Sequence, residues 1–168
     1  MTLTVENGSG LAGADSYVSQ ADATTYHDGR GNTAWTDLSS DEMDAALRRA
    51  TDYLGETYRP RWKGDRTSTT QALDWPRYNV ERADIACALY ASNAGPAEVV
   101  RACCEMALRA AKGPLTPDQG QAIKSVAAGS VNVTYADYSA ATKSYPAIDG
   151  LLRPLLSGSA GGVAISKV

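Results

Sequence analysis

Between residues 39 and 58 apolar side chains recur at helical spacing, and this stripe constrains the chain more than any other feature. In SSDEMDAALRRATDYLGETY the positions Met43, Leu47, Ala50, Leu54 and Tyr58 fall three or four apart, which is the period of one helix face. With Ser39 as the cap, Glu42 occupies the third helical position and completes a capping box. Asp44, Arg48 and Asp52 lie four apart on another face, where opposite charges support each other. Pro60 ends the helix and pushes Arg59 toward extended geometry. A second stripe runs through residues 96–113. Val99, Cys103, Met106 and Ala110 form one row, with Val100, Cys104 and Ala107 beside it. So wide an apolar face belongs in the middle of a bundle. Pro96 opens this helix at a tolerated first-turn position, and Gly113-Pro114 stops it.

Weaker signals fill in the rest. Residues 1–15 alternate briefly from Leu3 to Val5 and then run into NGSGLAGAD, which predicts a flexible N-terminal arm with a strand at its start. Ser16 or Ser19 caps a helix over residues 21–27. Gly29 and Gly31 stop it, and a turn over 32–37 docks Trp35 in the core. Residues 85–90 are apolar and fit a strand or a helical turn equally well. Val131, Val133 and Tyr135 alternate with Asn132 and Thr134, the pattern of a half-buried strand. A hairpin near 122–135 follows, turned at Ala128-Gly129, with Ile123 to Val126 in its first arm. Residues 146–156 make a short amphipathic helix through Ile148, Leu151, Leu152, Leu155 and Leu156, kinked or ended by Pro154. The expected fold is mainly α: a small helical bundle with a β-hairpin, a long basic loop and extended N- and C-terminal arms. The 168 residues suit one domain, spanning 16–156 between an arm at 1–15 and a flexible docking tail at 157–168. In that tail a Gly/Ser run precedes the alternating set Val163, Ile165 and Val168. Such a strand can add to the edge of a partner's sheet.

The chain shows no residue set for covalent chemistry. Its one histidine, His27, has no nucleophile and acid placed with it by sequence, and a helix-end role is the simpler reading. Cys103 and Cys104 are helical neighbours pointing about 100° apart, so a bridge between them is disfavoured and packing on an apolar face is expected. With Cys87 they make three, an odd number that suits reduced thiols. Gly8, Gly10 and Gly13 imitate a phosphate loop but lack its lysine and strand-to-helix setting. Asp41, Glu42 and Asp44 are acids near a helix start. No catalytic residue, cofactor or metal site is expected, and the chain reads as a non-enzyme. No secretory leader and no apolar run near the ~20 residues of a membrane helix are visible, so a soluble cytoplasmic protein is expected.

The long stretch RPRWKGDRTSTTQALDWPRYNV, residues 59–80, carries the functional question. Arg59, Arg61, Lys63, Arg66 and Arg77 face only Asp65 and Asp74. Gly64, the Thr/Ser run and Pro76 predict an ordered loop, and loops of this length are uncommon without a task. Arg and Trp are favoured anchors in protein interfaces. The same residues can hold phosphates and stack the bases of single-stranded DNA, or they can be solvated or satisfied within the chain. A net charge of −3 disfavours a general nucleic-acid binder, which leaves a partner protein as the first reading. The expected partner-binding residues are Arg59, Arg61, Trp62, Lys63, Arg66 and Arg77, together with Val163, Ile165 and Val168.

Three strings, ADSYVSQADATTYHDGRGNTAW, LRRATDYL and RWKGDRTSTTQALDWPR, resemble the small head–tail adaptor (head completion) proteins of tailed bacteriophages, often labelled DnaT-like single-stranded DNA-binding proteins. The segments VVRACCEMALRAA, VAAGSVNVTY and YPAIDGLLRPLL fit as well, so the resemblance covers roughly residues 14–156. TSTTQALDWPR is its most specific part. One stretch departs from the pattern: ERADIACALYASNAGP is less polar than its counterpart in the family. The resemblance implies a mainly helical adaptor assembled as a ring, usually of twelve copies, beneath the portal. Its partners would be the portal protein, a tail or tail-terminator (nozzle) protein and further copies of itself. Genomic DNA would pass through the channel without sequence-specific binding, and no membrane is involved. The location implied is the head–tail interface of the virion, assembled in the cytoplasm of the bacterial host.

Overall fold

The computed structural model describes residues 2–116, 125–128, 131–134 and 144–158. Helix α1 (Gln20–Asp28) starts at Ser19, whose Oγ accepts from the Asp22 amide. A four-residue helix, α2 (Thr33–Thr36), follows and places Trp35 in the core, fully buried. The long helix α3 (Ser40–Tyr58) begins with the expected capping box: Ser39 Oγ accepts from the Glu42 amide, and the Glu42 carboxylate accepts from the Ser39 amide at 2.8 Å. A 3-10 turn, Arg59–Arg61, closes it at Pro60. Strands β1 (Asp65–Arg66) and β2 (Arg77–Tyr78) pair antiparallel and pinch the base of the basic loop. Helix α4 (Ala97–Lys112) packs along α3. The expected hairpin is present as β3 (Ser125–Ala128) and β4 (Val131–Thr134), paired antiparallel with Val126 opposite Val133. Helix α5 (Pro146–Leu152) gives way to a 3-10 turn at Arg153–Leu155, where Pro154 denies the helix an amide donor.

The core lies between α3 and α4 and is capped by α5. Leu47, Leu54, Val99, Met106, Ile148 and Leu152 are fully buried, and each such side chain contributes about 1.5–3 kcal/mol by leaving water. Cys103 and Cys104 belong to the same layer, both at 0 % exposure. Burial pushes the Cys103 thiol up to about 11 and the Cys104 thiol up to about 12. Both therefore stay protonated and act as packing groups. His27 is also buried. Its Nε2 lies 3.2 Å from the Cys104 carbonyl and its Nδ1 lies 3.2 Å from the Asn32 side-chain amide. With Nε2 donating and Nδ1 accepting, the neutral ring is satisfied at both ends.

The N-terminal segment differs from the free arm expected of it. Val5 bridges to Ser16, and the Glu6 carboxylate accepts from the amides of Gly8, Gly10 and Leu11 at 2.8–2.9 Å. The glycines let the backbone curl round this carboxylate. Gly8 sits at φ +97°, where a Cβ would also collide with the Asn93 carbonyl. Residues 85–90 form neither a strand nor a helix. They close a tight turn in which Glu81 bridges to Leu89, with Cys87 at φ +58°.

Candidate interaction surface: the basic loop

The loop over residues 59–80 is ordered because its polar groups satisfy one another. Arg77 is 8 % exposed and donates to three carbonyls, those of Lys63, Gly64 and Asp74, at 2.6–3.2 Å. Burial pushes its guanidinium below the ordinary arginine value, partly offset by the Asp74 and Asp65 carboxylates. Arg66 donates to the carbonyls of Gln71, Ala72 and Leu73 at 2.8–3.2 Å. Gln71 fills the middle of the loop. Its Oε1 accepts from Thr67 and Ser68, and its Nε2 donates to the carbonyls of Leu73 and Pro76. Gly64, at φ +64°, lets the chain pass against the Tyr78 carbonyl, where any Cβ would collide. Asp74, 1 % exposed, receives Arg59 Nε at 3.1 Å from Oδ1. Its own amide donates to the hydroxyl of Tyr17.

The aromatic residues turn inward too. Trp62 is 5 % exposed and Trp75 fully buried, their rings meeting edge-on with centroids 5.8 Å apart. Tyr58 also packs against Trp62, with ring centroids 5.8 Å apart. Helix α5 and the segment after it cover this cluster. Lys63 donates its amide to Leu155 and its Nζ to Pro154, Ser157 donates its amide to Arg61, and Tyr58 donates its hydroxyl to Asp149.

Of the residues expected to bind a partner, Trp62, Lys63, Arg66 and Arg77 therefore make structural contacts within the chain. The physical reason is common to the cations: a buried or half-buried carbonyl needs a donor, and a guanidinium supplies several from one planar fork. Arg59 and Arg61 remain nearer the surface. The Arg59 side chain is 62 % exposed, and Arg61 lies over the Tyr58 ring at 5.7 Å. Val163, Ile165 and Val168 fall outside the described residues. The sequence reading missed a different surface feature. Tyr78, Ile85 and Leu89 are large apolar side chains at 49 %, 49 % and 58 % exposure. The signal was available in ERADIACALYASNAGP, an apolar stretch with no helical or strand period to bury it.

The whole chain, residues 1–168, matches the family described as "Putative DnaT-like ssDNA binding protein". The chain belongs to this family. No curated protein and no solved structure matches it. The string that carried the family resemblance most specifically, TSTTQALDWPR, is the one whose Gln71, Asp74, Trp75 and Arg77 are buried to build the loop. Among the described residues, no group of three or more His, Cys, Asp or Glu is placed to hold a metal ion. No helix among them is long and apolar enough to cross a membrane.

Proposed function

We propose that the chain is a structural head–tail adaptor of a tailed phage and not an enzyme. In this reading it forms a ring with further copies of itself, joins the portal protein to a tail protein and extends the channel through which DNA passes. One observation carries the choice over the alternative. A single-stranded DNA site needs aromatic faces open for stacking and guanidinium groups free for phosphates. Here Trp62 is packed against Tyr58 and Trp75, and Arg66 and Arg77 are bound to backbone carbonyls. The loop is thus a rigid structural part. Among the described residues, the side chains available for a protein contact are Arg59 and Arg61 at its start, Tyr78 near its end, and Ile85 and Leu89 beyond it. Large exposed apolar side chains on an ordered surface suit docking to another protein.

Light scattering of the chain with and without purified portal of the same phage tests this. A stable complex with one adaptor per portal subunit supports the reading. The description of the family favours the alternative, single-stranded DNA binding. In the present structure Arg59 and Arg61 would have to provide most of its phosphate contacts. A fluorescent oligonucleotide titration at low salt separates the two. Tight, steeply salt-dependent binding together with no portal complex would replace the adaptor reading with the DNA-binding one.

A further inference from the structure

The extended segment at the N-terminus uses one of its two edges. Thr4 donates its amide to Asp15 Oδ1 at 2.7 Å, its carbonyl accepts from the Asp15 and Ser16 amides, and Glu6 donates its amide to the Ser16 carbonyl. These bonds, with the parallel bridge of Val5 to Ser16, turn the N–H and C=O of Leu3 and Val5 the other way. Among the described residues nothing bonds those four groups. A cleft of about 570 Å³ borders this free edge, lined by Leu3, Val5 and Ala21 and by Ser40, Asp41 and Asp44 of α3. An open strand edge is a template for another strand, and proteins blunt such edges with charge or proline. Residues 2–5 carry neither.

The sequence holds a strand of matching character. Residues 163–168 lie outside the described residues and read VAISKV, with Val163 and Ile165 at alternate positions, one cation, Lys167, and no acid. The charged residues lining the cleft are Asp41 and Asp44, of the opposite sign. Reach decides which copy supplies the strand. The described chain ends just after Ser157, whose amide donates to the Arg61 carbonyl beyond the C-terminal end of α3. The cleft lies at the other end of that helix, and from Asp44 to Tyr58 the helix rises roughly 21 Å. From Gly158 to Val163 the backbone spans at most about 18 Å. The strand therefore comes from another molecule.

We propose that residues 163–167 of a second copy of this chain add to the free Leu3–Val5 edge as a further strand, with Lys167 drawn toward the acids of the cleft. Backbone hydrogen bonds supply the affinity of such a contact and alternate side chains its specificity. Tail to edge is a heterologous contact, of the kind that repeats to close a ring. The inference deepens the self-assembly in the reading above and rests on it in that respect alone.

The first test uses the full-length variant Ile165→Asp, isotope-labelled, whose edge is intact and whose own tail is spoiled. It is titrated with a capped peptide of residues 159–168. Saturable shifts at the amides of Leu3, Thr4 and Val5 are expected. Two N-methylated peptides, one altered at Val163 and Ile165 and one at Ala164 and Ser166, present opposite edges. One keeps its affinity and the other loses about tenfold or more, the scale of a lost hydrogen bond. The second test is light scattering of full chains. The unaltered chain self-associates with concentration, and Val5→Pro and Ile165→Asp each stay monomeric. Their mixture forms pairs, because the tail of the first meets the edge of the second. Val5→Pro deletes an outward N–H and spares the bonds of Thr4 and Glu6, and an unchanged melting curve establishes that it is folded. No shifts at these amides, equal affinity of the two methylated peptides, or a mixture that stays monomeric would overturn the proposal. Portal binding is scored on the same samples. A portal complex alongside a monomeric mixture strikes the edge contact alone, and tail exchange without a portal complex strikes the adaptor reading alone.

Discussion

The α3–α4 pair and the loop over residues 59–80 are both ordered, but by different forces. The helices are held by apolar side chains at 0 % exposure, among them Leu47, Leu54, Val99 and Met106. That attraction has no preferred direction, so substitutions that conserve volume there are tolerated. The loop is held by directed donors: the forks of Arg66 and Arg77, the amide of Gln71, and a two-tryptophan clamp. A basic, Trp-bearing segment is therefore not by itself a binding surface. Cations can serve as multi-pronged donors that let a long non-helical stretch bury its carbonyls.

The comparison makes the loop part of the cooperative fold, and substitutions can break that claim. Trp75→Ala should cost about 3–5 kcal/mol of global stability, as large-to-small aromatic changes in cores do. Trp75→Phe should cost far less, because the Trp75 indole N–H meets no acceptor among the described residues. Denaturant melts followed by both far-ultraviolet dichroism and tryptophan emission would show it. If emission moved alone while the helices melted unchanged, the loop would be an appendage. Next in size, Arg77→Lys should cost about 2 kcal/mol, because an ammonium cannot reproduce a planar fork bound to three carbonyls. Equal stability of the lysine variant would show that charge, and not geometry, holds the loop.

Two smaller effects sharpen the helical side. His27, the chain's single histidine, is pushed below its ordinary value, chiefly by burial, with the Cys104 hydrogen bond opposing. The unfolded chain therefore takes up the proton first. The stability that the neutral ring contributes is complete above about pH 6.5 and is lost as the pH falls from there through the lower folded value. Protonation would also turn Nδ1 from acceptor to donor against Asn32. Melting temperatures at pH 7.5 and 5.5 should differ, and the difference should shrink in His27→Gln. Smallest is Ser39→Ala, which removes the cap of α3 and should cost about 1 kcal/mol in the same melts.

How much of this was legible follows from the same contrast. Periodicity and capping are local, so α3 with its Ser39–Glu42 box, α1 with Ser19, α4 and the break at Pro154 emerge where the sequence places them, while the hairpin lies in its expected window but with Ala128 paired to Val131 inside its first strand and not at the turn. Trp35 was rightly placed in the core. The direction of Arg66 and Arg77 was not legible, because a guanidinium bound to a carbonyl seven or fourteen residues away has the same sequence signature as one in water. The buried company of Trp62, Gln71 and Trp75 was the hint. The Glu6 loop was hidden for a similar reason: glycines spaced for mobility are also glycines spaced to wrap a carboxylate. The exposed Ile85 and Leu89 were visible as an apolar run without a period but not as a surface.

The covering of Trp62 by residues 153–157 also sets an order of events during synthesis. Pro154 in that segment, the partner of Lys63, and Asp149 in α5, the partner of Tyr58, each lie 91 residues further along the chain. While a ribosome is still making the intervening stretch, α3 and α4 can already pair, but the aromatic cluster at the end of α3 stands open to water. The nascent chain thus carries an adhesive spot that its own later residues remove. A chaperone that recognises exposed tryptophan and tyrosine would engage it in that interval and lose its hold once residues 153–157 arrive.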